Sequence, residues 1–233
     1  MLNKKTLQKI KKLGIETDWN SAFGGKSKGN RHLIRMVAIS TWLAGKTGAD
    51  VRIVEAAAFL HDSALPTGND YDYEKNKKVV KKLLKNITLS KSDLDRIAEC
   101  VASHEGTVMP KTLEAKIIHD ADVIEKSGML GVIRHTWKLT NSSAKKVINA
   151  QEVLQHILWR EKRLQLPISK KLVRRLNGNL KISRLKDLVP RIGKLASEAI
   201  VTEKIIVMLR DSFTTAENRD LQQQVKLLRL ENL

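Results

Sequence analysis

One cysteine in 233 residues rules out an intramolecular disulfide framework. Cys100 sits in Ile97-Ala-Glu-Cys100-Val-Ala, where a small buried thiol is the expected role, and a reducing compartment fits. Long apolar runs are missing: nothing approaches the roughly 18 residues of a membrane span. The lysine-rich start (Lys4, Lys5, Lys9, Lys11, Lys12) leads into no continuous apolar segment, so no signal peptide is expected. A soluble, cytoplasmic protein is the resulting expectation. Sustained period-two alternation is scarce, which argues against sheet. With three Phe and two Tyr, base-stacking platforms look sparse, so any contact with nucleic acid should be mostly to phosphate.

Acids are the minority charge, 25 against 43 Lys and Arg, for a formal net charge of +18. The excess is concentrated: residues 160–194 hold twelve Lys or Arg and two acids. Such a segment attracts polyanions through counterion release, and a solvated basic face is the plainer account of it.

Apolar residues recur three and four apart almost throughout, so the chain reads as all-α. A first helix is expected over residues 3–13, closed by Gly14 as a left-handed C-cap. A polar loop over residues 24–30 precedes a second helix over 31–46 with Gly48 at its end, and a third runs over 50–61. After a loop marked by Pro66, Gly68 and Asn69, a lysine-rich helix covers 71–85. Ser90 and Ser92 offer capping boxes for a helix carrying His104 near its end. Thr112 caps the helix that holds His119, Asp120 and Asp122, and Gly128 interrupts it. Asn141-Ser-Ser143 reads as a boundary between a first domain, 1–140, and a basic helical extension, 141–233. In that extension helix is expected over 144–166, in shorter basic pieces over 169–186, and from Pro190 to Asp211. Leu221, Val225 and Leu228 then form a helical stripe suited to core.

Five residues carry the chemistry: His32, His61, Asp62, His104 and Asp122. His61-Asp62 ends an apolar helix, and adjacent residues on a helix diverge by about 100°, so both can serve one ion only where the helix stops. Ser63, Ala64 and Pro66 supply that stop. Imidazole and carboxylate together suit divalent ions, and an ion with open positions activates water. His32 and Arg35 lie one turn apart and share a face, which puts a cation where a phosphate would approach. Asp122 is set among Ala115, Ile117, Ile118, Ala121, Val123 and Ile124, so its carboxylate needs a partner, a metal or a basic side chain. Gly25-Lys-Ser27 is not a phosphate-binding P-loop, because Asn20 stands where the motif needs glycine and no strand precedes it.

The order His, His-Asp, distant Asp resembles the HD-domain superfamily of metal-dependent phosphohydrolases. Glu114-Ala-Lys-Ile-Ile-His-Asp-Ala-Asp122 is similar to the last motif of small HD hydrolases in that superfamily, with His104 in the place of their isolated histidine. The likeness continues through Gly128, Gly131 and Arg134, and covers residues 31–135. It implies an HD-domain helical bundle in which His32, His61, Asp62 and Asp122 hold a divalent ion, Mn, Ni, Co, Fe or Mg. Asp62 would then act in catalysis together with Arg35, which neutralises phosphate oxygens, and His104, which orients substrate or protonates the leaving oxygen. Lys75, Lys77 and Lys78 are further candidates for phosphate. Where small HD hydrolases carry Asp and Lys after His-Asp, this chain has Ser63 to Asn69; the Glu-Asp pair of guanosine-tetraphosphate hydrolases is also missing.

The expected activity is hydrolysis of a phosphomonoester or phosphodiester, of a nucleotide, another phosphorylated small molecule or a nucleic acid. The alternative is a basic nucleic-acid-binding protein, using residues 160–194, in which the HD core is a scaffold or a dormant site. A second copy of the chain is also admitted as a partner.

Overall fold

The computed structural model describes residues 2–67, 70–142, 148–198 and 200–226. Among them there is helix and no strand, as the hydrophobic period demands. Thirteen α-helices follow one another: α1 Lys4–Ser21, α2 Ser27–Asn30, α3 His32–Thr47, α4 Val51–Leu60, α5 Tyr73–Leu84, α6 Lys91–Ala102, α7 Leu113–Glu125, α8 Gly128–Asn141, α9 Ala150–Glu161, α10 Pro167–Gly178, α11 Ile182–Ser197, α12 Thr202–Met208 and α13 Thr215–Lys226. No helix among the described residues is long and apolar enough to cross a membrane.

The chain divides into two compact units, one of residues up to Gly25 with Leu33–Asp122, the other of Lys26–His32 with Val123 onward. Ser143, at the boundary expected from sequence, lies outside the described residues.

In the first unit α4 is central, with α1 and α6 packed on it and α5 packed on α6. Ile10, Leu33, Met36, Leu43, Ile53, Leu60, Ile97 and Ile117 fill the core. Caps fix helix starts: Ser90 accepts from the Asp93 amide as expected, and Asp50 accepts from the Arg52 and Ile53 amides. Gly48 takes φ +75° and closes α3 onto the Ala44 carbonyl, as its place in the sequence suggests.

Gly14 behaves differently from the cap it was expected to be. Helix α1 runs through it to Ser21, and a Cβ there would run into the Phe59 backbone carbonyl. The residue is small because α1 and α4 touch, not because a helix ends. Cys100 is buried as expected, and burial pushes its thiol up to about 12.

The second unit is organised on α8, against which α9, α10, α11, α12 and α13 all pack. Trp137 of α8 is buried, gives its indole N–H to the Ile200 carbonyl at 3.2 Å, and faces Gly29 of α2, where a Cβ would crowd the ring. Asn177 accepts from the Gly128 amide at 2.8 Å, and Gln224 donates to the Ser127 carbonyl at 3.2 Å, so α10 and α13 are pinned to the start of α8.

Pro190, expected to precede a helix, lies inside α11 on an exposed position. A mid-helix proline costs about 3 kcal/mol or more. The apolar face of Leu185, Leu188, Val189, Ile192 and Ala196, all buried, offsets it. Of the expected terminal stripe Leu221 is buried, whereas the Val225 side chain and Leu228 lie outside the description.

Candidate metal centre

The first unit brings four of the sequence candidates, His61, Asp62, His104 and Asp122, to buried positions. Helix α4 ends at Leu60, so His61 and Asp62 leave its last turn together, and Asp62 Oδ2 lies 3.3 Å from His61 Nε2. The other oxygen, Oδ1, lies 3.7 Å from His104 Nε2. The two imidazoles meet edge to face with centroids 5.4 Å apart. One carboxylate is thus shared by two rings.

Each ring is set by its other nitrogen. His61 Nδ1 is 2.8 Å from the Ala58 carbonyl oxygen and His104 Nδ1 is 2.7 Å from that of Val101, and a carbonyl can only accept. Nδ1 of each ring therefore carries a proton, and Nε2 of both rings faces Asp62. His104 itself follows α6, which stops at Ala102, and it stands in the turn after the helix instead of within it. His119 serves that turn: its Nδ1 lies 2.6 Å from the His104 carbonyl oxygen.

Charge at the site follows from this crowding. Burial opposes a positive ring at His61, but Asp62 and then Asp122 outweigh it and lift its pKa to about 9. At His104 burial works the same way and is outweighed by Asp62 and Glu105, whose carboxylate lies 3.7 Å from Nε2. Buried carboxylates gathered around these rings call for positive charge, and the N/O donor set matches a borderline or hard divalent ion.

Asp70 and Glu105 join this centre without having been singled out from sequence. Ligand atoms of Asp62, Asp70 and His104 all lie within 4.8 Å of one another, and all three residues are buried. Asp70 is held there by Asn76, a buried side chain whose Nδ2 donates to the Asp70 carbonyl at 2.6 Å, while Thr107 Oγ1 donates to the Tyr71 carbonyl at 2.9 Å. An acid outside any helix carries no periodic signal that would mark it. Glu125 sits one turn after Asp122 on α7, and the sequence reading assigns it no role.

His32 belongs to the second unit, where its Nδ1 lies 2.8 Å from Glu125 Oε2. Glu125 is steadied in turn by Arg134, whose Nε is 3.3 Å from the same oxygen. Nδ1–H donates to the carboxylate, which leaves the Nε2 lone pair for a ligand. Arg35 is buried on α3. The lysines divide. Lys77 Nζ is held 2.8 Å from Glu99 and 2.7 Å from the Tyr73 hydroxyl, Lys75 reaches the Thr67 carbonyl at 3.4 Å, and Lys78 is exposed. Lys77 thus has a carboxylate partner already.

Comparison with solved structures places the same fold elsewhere. Bacillus subtilis YpgQ is 20% identical, covers 82% of this chain and 100% of its own, and superposes with a TM-score of 0.60. A Lactobacillus plantarum structural-genomics target is 17% identical, covers 83% and 98%, and has a TM-score of 0.59. YpgQ was also solved in complex with ADP, with 19% identity, coverage of 85% and 97%, and a TM-score of 0.57. No curated protein matches the chain. In sequence, residues 30–127 match the family model of the HD domain. Over residues 30–127 the chain is therefore similar to the HD domain, which implies a family of metal-dependent phosphohydrolases that bind divalent ions.

Proposed function

We propose that the protein hydrolyses a phosphomonoester or phosphodiester of a nucleotide, with His61, Asp62 and Asp122 holding a divalent ion and His32 completing the set. The observation that carries this reading is the shared Asp62 carboxylate, flanked at 3.3 and 3.7 Å by the Nε2 atoms of two buried histidines. The membership of His32 rests on the sequence order and on its Nδ1 contact with Glu125, which leaves Nε2 able to bind.

A divalent ion (Mn, Ni, Co, Fe or Mg) bound there would polarise a phosphoryl oxygen and lower the pKa of the attacking water. The protein's own groups do the rest. His104 holds a proton at Nε2 for the leaving oxygen, with its orientation set by Val101 and its turn by His119. Arg35 neutralises phosphate charge, and Lys75 and Lys78 are the further candidates to meet phosphate, since Lys77 is paired with Glu99. The ADP complex of Bacillus subtilis YpgQ supports a nucleotide as the substrate class.

The test is phosphate release from a panel of nucleoside mono-, di- and triphosphates and generic phosphate esters, with each metal in turn. Wild type should turn over at least one nucleotide with one metal, and Asp62→Ala should abolish it. Equal release by the two proteins sinks the assignment.

A further inference from the structure

Helices α9 and α10 enclose an open groove of about 580 Å³ lined by Leu158, Glu161, Lys162, Lys170 and Arg174. A second depression, of about 530 Å³, shares Lys170 and Arg174 and continues over Lys171 and Arg175. All five cations are exposed, and the single acid, Glu161, already accepts from Asn177 Nδ2 at 2.8 Å. Lys170 and Arg174 are four residues apart, as are Lys171 and Arg175, so positive charges are spaced about 6 Å along α10, with Arg175 also held by Gln223 at 2.7 Å and lying 3.8 Å from Asp220. A repeat of this kind fits a chain of phosphates better than one isolated phosphate.

Trp159 is 49% exposed and follows Leu158 of the groove wall on α9, three residues before Lys162 and so on a neighbouring face. The Arg163 guanidinium lies 4.5 Å from the indole centroid and that of Arg160 5.8 Å. An exposed indole ring set among guanidinium groups is a stacking surface for a nucleobase. The sparse Phe and Tyr of the sequence hid this, because the aromatic that matters is a tryptophan.

We propose that the α9–α10 groove binds single-stranded nucleic acid, its backbone on Lys162, Lys170, Lys171 and Arg174 and an unpaired base against Trp159. Stacking needs an unpaired base, which is why a single strand is favoured over a duplex. The inference does not depend on the hydrolase reading, since no residue of the metal centre takes part.

Fluorescence anisotropy of a labelled twelve-nucleotide single strand, titrated with the full chain over a salt series, tests it. Wild type should bind with a steep salt dependence. The Lys170→Glu, Arg174→Glu double variant should bind at least ~10-fold more weakly, with a log–log salt slope shallower by about 1.4, two contacts at ~0.7 each. Trp159→Ala should weaken binding about 10-fold and leave the slope unchanged. A thermal midpoint equal to that of wild type shows that each variant is folded; if the double variant fails this, Lys170→Gln with Arg174→Gln replaces it. Unchanged affinity in either variant overturns the proposal, as does equal binding of a duplex or of anionic phospholipid vesicles.

Discussion

His32 Nδ1 stands 2.8 Å from Glu125 Oε2, and both side chains are buried. A carboxylate in that position fixes the ring's tautomer and makes Nε2 a better ligand. Glu125→Gln keeps the shape and removes the charge, so metal affinity should fall by about 10-fold or more. Isothermal titration with Mn and Ni measures it. Affinity equal to wild type would remove His32 from the ligand set.

His104 and Asp70 bear on how the work is divided around Asp62. If His104 moves a proton, His104→Gln should lower kcat by about 10²-fold while bound metal stays at the wild-type ratio. Asp70→Asn removes a carboxylate that approaches Asp62 and His104 and should lower activity at least ~10-fold. Elemental analysis beside the kinetics decides the role: metal lost in His104→Gln would make that ring a ligand instead of a proton donor.

Gly14 tests the packing of the first unit. A methyl group there meets the Phe59 backbone, which has little room to give. Gly14→Ala should therefore destabilise by about 1–3 kcal/mol, although alanine is the better helix former. A urea melt that shows stabilisation would contradict the close contact between α1 and α4.

In the second unit, His135 and His156 stack with centroids 4.0 Å apart and planes 5° from parallel. Burial and neighbouring cations press both pKa values down, with His156 adding to the effect on His135, to about 2 for His135 and about 3 for His156. Both rings are neutral in the folded protein, and both take up protons on unfolding below about pH 6.5. Stability from the pair is thus fully present above that pH and declines as pH falls toward 3. Lowering the pH from 7.5 to 5 should cost about 2 kcal/mol through His135 alone. Urea melts at the two pH values measure it, and His135→Gln should flatten the dependence. A stability independent of pH in the wild type would refute the account.

Much of this was readable along the chain because helix formation and capping are local. Ser90 and Thr112 each stand where a helix begins and accept from its first amides. His61-Asp62 at the end of an apolar helix and Asp122 one turn before Glu125 are likewise neighbours in sequence. Gly14 and Pro190 misled, since their local meaning is a stop, and burial of α1 on α4 and of the apolar face of α11 overrode it.

The sequence by itself determined the helical class, the helix starts and the ordered set of histidines and aspartates, all consequences of spacing within a few residues. Only the tertiary structure decided that Asp70 approaches Asp62 and His104, that Glu125 sets the ring of His32, and that Lys77 is engaged by Glu99. These pairings span 8 to 93 residues of chain. No periodicity reaches that far; the burial of apolar surface that folds the chain brings them together.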